Sequence, residues 1–268
     1  MDNKMAIIGM IVFIILITLS LGAPLLTDNS PSLVDPTLKY AKPSREHLLG
    51  CDSAGRDAFA RLLYGGRMSM LIGLSNTLLS GLVGIILGCC SGYLGKKVDA
   101  TLLYISELFQ SVPSNMLVMI LVGFVGRGVQ NLIIIFTLTN WSGIYSLTRL
   151  RILSLREEGY VQSCIANGVS RTSIMFRHLL PNTMGTILST IATRTATFVL
   201  SEAGLSFLGL GVPLEVATWG NMLNSARNLQ VFLQYPLLWV AHGVAITLFS
   251  LSINFFGTGL RDALDTRM

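Results

Sequence analysis

The sequence predicts an all-α, polytopic membrane protein of about six transmembrane helices, and three observations carry that reading. Of the 268 residues 51% are hydrophobic and only 12% charged, about half the charge of an ordinary soluble domain; mean hydropathy is +0.64. The apolar residues gather in uncharged blocks close to the roughly 20 residues that cross a hydrocarbon core. Nearly all Lys and Arg residues lie in the connections between those blocks, as membrane topology requires.

The first block, Met5 to Thr27, is uncharged. Lys4, the apolar run and the small residues Ser20 and Gly22 also fit a cleavable signal peptide. With five further spans behind it, a retained helix ended by Pro24 is the more economical reading. Leu25 to Arg67 is a polar connection punctuated by Pro31, Pro36 and Pro43, with a helix-compatible stretch from Gly55 to Tyr64. Met68 to Gly95 is the second span. Its Gly81, Gly84, Gly88, Gly92 and Gly95 approximate a small-xxx-small ladder, which lets helix backbones approach closely. Lys96, Lys97 and Asp99 turn into the third span, Leu108 to Gly126. There Glu107, Gln110 and Ser114 share a face and Pro113 invites a kink. Gly128 to Thr148 is the fourth span. The fifth runs from Leu179 or Asn182 to about Leu205, interrupted by Arg194. Asn228 to Leu260 is the sixth. The organisation is thus residues 1–66 (first helix and external connection), 67–262 (transmembrane core with a polar loop at 149–181) and a short tail, 263–268.

With an internal N-terminus, the internal side holds ten Lys/Arg residues and the external side eight. The short loops favour this orientation, with both termini cytoplasmic. The net charge of +5 forms no basic stripe with interleaved aromatics, so nucleic acid is not an expected partner. Cys51, Cys89, Cys90 and Cys164 contain no CxxC, and by spacing make neither a disulfide framework nor a metal site.

The most informative stretch is Arg149 to Pro181. Tyr160, Val161, Cys164 and Ile165 recur at helical spacing. Gly168 suits a left-handed helix end, Ser170 can cap a second helix through Ile174, Met175 and Phe176, and Pro181 marks entry to the fifth span. Helix, glycine turn, helix is the expectation. A plain interfacial amphipathic helix is one reading; a docking element for a soluble partner is the other.

The run Glu157-Glu158-Gly159-Tyr160-Val161-Gln162, then Gly168, then Arg177-His178-Leu179-Leu180-Pro181-Asn182 resembles the EAA loop of ABC importer permeases. His47-Leu48-Leu49-Gly50-Cys51-Asp52 with Gly55-Arg56-Asp57 and Arg61-Leu62-Leu63-Tyr64-Gly65, Gln110-Ser111-Val112-Pro113, and Ser206-Phe207-Leu208-Gly209-Leu210-Gly211-Val212 before Trp219-Gly220 are similar to further motifs of the dipeptide/oligopeptide/nickel permeases. Four ordered blocks cover about residues 45 to 262. The resemblance implies the type I importer permease fold in a bacterial inner membrane. It also implies a second, similar permease, two cytoplasmic ATPases and an extracytoplasmic substrate-binding protein, with ATP and Mg held by the ATPases and no cofactor on this chain. Glu157, Glu158, Tyr160, Val161, Gln162, Ala166, Gly168 and Pro181 become the ATPase-coupling residues. Two departures stand out: the family's Glu-Ala-Ala is Gln162-Ser163-Cys164 here, and its threonine before Asp52 is Cys51.

No catalytic residue is expected. Gly92 to Lys97 fails the Walker A spacing, and HExxH and GxSxG are absent. An intramembrane hydrolase and an ion channel are the alternative classes. Proteolysis lost with a candidate dyad would mark the first, and current without ATP the second. Thr186, Thr190, Arg194, Thr197 and Ser201 form a polar stripe in the fifth span. An intramembrane Arg faces a cavity or a partner, so the stripe is the candidate translocation path; the other reading is helix–helix glue, with Arg194 paired to Glu202 or Glu107. His242 is expected to be a packing residue. Glu215 and Trp219 either face a binding protein or cap a short re-entrant helix. Cargo remains di- or oligopeptide, nickel or metal chelate.

Overall fold

Lys4–Leu21 forms α1 and Ala23–Leu26 the single turn α2, in a computed structural model that describes residues 4–265, the side chains of residues 264 and 265 aside. Residues 1–3, and 266–268 of the expected tail, lie outside the described residues. The long helices are α3 (Ala58–Leu94), α4 (Lys96–Gln110), α5 (Ser114–Val125) and α6 (Val129–Arg156). Short α7 (Gly159–Ala166) and α8 (Arg171–Ser173) follow, and a π turn, Ile174–Leu179, leads into α9 (Leu180–Phe207). The chain closes with α10 (Trp219–Leu223), α11 (Leu229–Gln234) and α12 (Leu237–Asp265). Among the described residues there is no strand.

The bundle is arranged for an apolar surrounding. Along α3 the buried positions include Ser69, Asn76, Thr77 and Ser80, whereas Leu71, Leu78, Leu82 and Ile86 are exposed. On α5 the exposed stripe is Met116, Ile120 and Phe124. Water would penalise that inversion; lipid or a neighbouring apolar subunit rewards it. Polar side chains left inside mostly bond their own helix, as Thr77 Oγ1 donates to the Gly73 carbonyl at 2.8 Å and Ser80 Oγ to that of Asn76 at 2.6 Å.

Helices α1, α3 and α12 are long and apolar enough to cross a membrane, and the α4–α5 pair is a fourth if counted as one broken span. α6 and α9 fall short on composition rather than length: at 28 residues each they rise about 42 Å. Three expected boundaries are corrected. The second span starts ten residues early, because Asp57 caps α3 by accepting from the Ala60 amide at 2.6 Å. The third is no straight span: α4 and α5 meet at 83°, and α5, at 12 residues, is only about 18 Å long. Pro113 is the cause, for it lacks the amide that would continue the helix and holds extended backbone at ψ 122°. The sixth block is likewise divided before Pro236 into α11 and α12.

The glycine ladder locates the central contact. A Cβ on Gly84, Gly88 or Gly92 would sit 2.8, 2.8 and 3.0 Å from the carbonyl oxygens of Trp141, Tyr145 and Arg149, one per turn of α6. Only glycine allows α3 and α6 to lie so close. Gly81 instead meets Ile191 of α9, and Gly95 ends α3. At that end Ser91 Oγ donates to Asp99, and Arg149 Nη2 donates to the same carboxylate at 2.7 Å. Helix α1 is integral to the bundle. Gly9 packs on Ser252 and Phe255 of α12, Phe13 faces Phe249, and Arg67 Nε donates to the Ser20 carbonyl at 2.6 Å, closing the helix end.

Candidate functional site

At the end of the bundle where α3 and α6 terminate, α7 lies across three helix ends. Val161 is fully buried and Cys164 half-buried, packed with Cys89 and Tyr93 of α3, Ile152 and Leu155 of α6, and Ile174, Met175 and Leu179 of the π turn. The expected apolar face therefore divides. Val161 and Cys164 anchor the helix, while Tyr160 and Ile165, 41% and 47% exposed, face outward. Gln162, Ser163 and Ala166 share that outward side, as do Glu157 and Glu158 at its start.

Both ends of α7 are fixed by local chemistry. The Glu158 amide donates to the Leu155 carbonyl at 3.1 Å, and Gln162 Nε2 to that of Arg156 at 3.1 Å, so α6 passes into α7 through a tight corner. At the far end Gly168 has φ +72°. The Val169 amide donates to the Cys164 carbonyl and the Gly168 amide to that of Ile165, both at 3.0 Å. That double closure, with Val169 packed near Cys164, is a Schellman end. Ser170 then caps α8 by accepting from the Ser173 amide. Pro181, exposed in the first turn of α9, cannot donate to Arg177, and its ring crowds that carbonyl. The widened π turn immediately before it relieves both. Beside α7 an open cleft of about 360 Å³ is lined by Tyr93, Ile165, Val169, Arg156 and Arg171. Burial pushes the Tyr160 phenol upward, against a hydrogen bond with Asn182.

The second expected group lies on α9. Thr186, Thr190, Arg194 and Ser201 are half-buried and Thr197 is exposed. Thr190 Oγ1 donates to the Thr186 carbonyl at 2.9 Å and Thr197 bonds Thr193, so these hydroxyls bond their own helix rather than a neighbour. Arg194 reaches across to Gly143 of α6, where there is no side chain to obstruct it. Among the described residues it forms no ion pair with Glu202 or Glu107. Thr197 and Ser201 line a cleft of about 270 Å³ between α9 and α5, with Asn115 and Met119 opposite.

Sequence reasoning missed the polar hub at the other end of the bundle. Glu202 is fully buried, accepting from Ser206 Oγ at 2.7 Å, Thr218 Oγ1 at 3.0 Å and Ser69 Oγ at 3.4 Å. Ser69 and Thr218 in turn accept from the Trp219 and Asn221 amides, which fixes their single protons on Glu202. Trp219 is buried against Phe249, its indole donating to the Leu62 carbonyl at 2.9 Å, so it packs the bundle rather than facing outward; Glu215 is exposed. Arg61, 1% exposed, donates to the Pro31 and Leu214 carbonyls. A carboxylate inside an apolar span is the one signal that pointed here. His242 is buried.

Residues 82–268 match the family model for the binding-protein-dependent transport system inner membrane component, and residues 1–43 that for the N-terminal transmembrane domain of oligopeptide transport permease C. This chain belongs to that inner-membrane transport family. A permease subunit is a transporter component, not an enzyme. A Brucella ovis protein named as a peptide permease is 37% identical over 100% of this chain and 88% of its own length. The oligopeptide transport system permease protein OppC of Bacillus subtilis is 34% identical over 100% and 87%. The dipeptide transport system permease protein DppC of Alkalihalophilus pseudofirmus is 35% identical over 99% and 87%. The solved structure of the inward-facing MetNI methionine ABC transporter covers 73% of this permease and 94% of the matched chain, at 18% identity and a TM-score of 0.56, a likeness of fold.

Proposed function

We propose that this permease is one of two pore-forming subunits of an ATP-driven importer of di- or oligopeptides. It would work with a second, similar permease, two cytoplasmic ATPases and an extracytoplasmic binding protein, with ATP and Mg on the ATPases. The observation that carries the reading is α7, a rigid helix whose anchored side joins α3, α6 and α9 and whose free side offers Tyr160, Gln162, Ile165 and Ala166. A helix held this way moves with the bundle, so a partner that grips it differently in two states shifts the bundle between two states. Peptides are favoured as cargo over nickel or metal chelates because the relatives quoted above are named for peptides. The short basic connections support placing α7 and both termini in the cytoplasm, and the α9 stripe with its cleft supports a role for Thr190, Arg194, Thr197 and Ser201 in the path.

Ala166→Glu tests the coupling. The position is exposed, so the variant folds, while a charge placed in a docking face is desolvated on binding. In vesicles carrying the assembled importer, peptide uptake should fall at least tenfold while basal ATP hydrolysis persists. Uptake at the unaltered rate would remove α7 from the mechanism.

A further inference from the structure

Outside the transport machinery, the fold gathers three different metal-ligating side chains at the start of α3. His47, Cys51 and Asp57 bring Nδ1, Sγ and a carboxylate oxygen within 4.8 Å of one another. Cys51 is 0% and Asp57 4% exposed, and the His47 side chain, 17% exposed, forms the opening to solvent. The positions are backbone-fixed. Cys51 and Asp57 face each other in an antiparallel bridge, with the Asp52 amide donating to Arg56 and the Ala58 amide to Gly50. His47 Nδ1 stands 2.7 Å from Asp57 Oδ2, to which Asn29 Nδ2 also donates at 3.2 Å, while Oδ1 holds the α3 cap.

We propose that His47, Cys51 and Asp57 form a binding site for one borderline divalent cation of the zinc class. One imidazole, one thiolate and one carboxylate suit such an ion; Mg and Ca prefer oxygen alone. Tetrahedral ligands at about 2.0–2.1 Å for N and O stand about 3.3 Å apart, so the His47–Asp57 pair opens by roughly half an ångström. The ion replaces the proton they share, and the imidazole, at the solvent opening of the cluster, has room for the shift. On binding, the Cys51 S–H proton goes to solvent as the metal–sulfur bond forms. The neutral imidazole moves its proton from Nδ1 to Nε2, and a water completes the fourth position. One proton is released per ion, so affinity rises with pH.

The test uses the full-length chain, extracted with whatever subunits accompany it into lipid nanodiscs, with Co²⁺ as the spectroscopic probe and Zn²⁺ as competitor. In a variant with Cys89, Cys90 and Cys164 all changed to Ser, Cys51 is the only thiol. That chain should bind one equivalent of Co²⁺ with a thiolate-to-cobalt charge-transfer band, which Zn²⁺ abolishes. His47→Gln and Asp57→Asn, the latter keeping the helix cap, should each weaken binding at least tenfold. Absence of the band, or unchanged affinity in both ligand variants, overturns the site. If the triple variant does not fold, the band is compared between the unaltered chain and Cys51→Thr; equal bands overturn it equally.

Discussion

At Gly168 the backbone itself sets the requirement. A Cβ there meets nothing within 4 Å, so Gly168→Ala is penalised only by its left-handed φ of +72°, about 1–2 kcal/mol. Asn, which tolerates that region, should lose less. Melting temperatures of the purified permease check the order Gly, Asn, Ala; an Ala variant as stable as the parent would contradict it. Cys51 poses the opposite case, a side chain whose surroundings suppress its reactivity while no metal is bound. Burial first, then Asp57, Asp52 and Asp35, push its thiol up to about 11, so at pH 8 about one molecule in a thousand carries the nucleophilic thiolate. In metal-free native protein Cys51 should resist iodoacetamide while half-buried Cys164 reacts, and denaturation should make both react. Mass spectrometry of the labelled peptides reads this directly.

Among elements, the α3–α6 contact is the least forgiving. Gly84→Leu would drive a side chain into the Trp141 carbonyl and the Ile144 side chain. Neither neighbour can retreat without parting the two helices. An overpacked core of this kind loses about 3 kcal/mol, and the yield of folded protein in membranes should drop; Gly123→Leu, where a Cβ meets nothing within 4 Å, should leave it unchanged. The spacing of this ladder was legible in the sequence, though its partner α6 was not; the Gly168 end and the Ser170 cap were legible outright, because each is a local rule with its partner within a turn or so. The bend at Pro113 was legible only as a kink, since a count of apolar residues records length and not direction. The hub around Glu202 was hidden for another reason. Ser69 lies 133 residues from it, and no periodicity links a carboxylate to a hydroxyl at that distance. A separation of 153 residues likewise hid the meeting of Arg61 with Leu214.

For the whole molecule, polarity placed inside an apolar bundle must serve either assembly or passage. The α9 stripe bonds its own backbone, and Arg194 takes no carboxylate partner among the described residues. Arg194→Gln should therefore leave the permease assembled, by size-exclusion profile, and change peptide uptake severalfold. Loss of assembly instead would make Arg194 an adhesive between helices. Glu202 is the contrast: Glu202→Leu strands the Ser69 and Thr218 hydroxyl protons in a dry interior at about 1–3 kcal/mol for each unsatisfied group, and should cost assembly before it alters transport.

The 37 residues of α3 make an unbroken rod of about 55 Å. One tip is set by Asp57 in the connection that follows α2, and the other ends among Cys89 and Tyr93 beneath α7. Its interior contains no proline to act as a joint. The ladder against α6 grips the rod near its α7 end, at Gly84 to Gly92, so a tilt given there is carried along the whole length beyond it, as by a cantilever. A displacement of α7 thus arrives at the Asp57 tip as a swing rather than as a wave of local melting. The two ends of the bundle are geared to each other by a single covalent part.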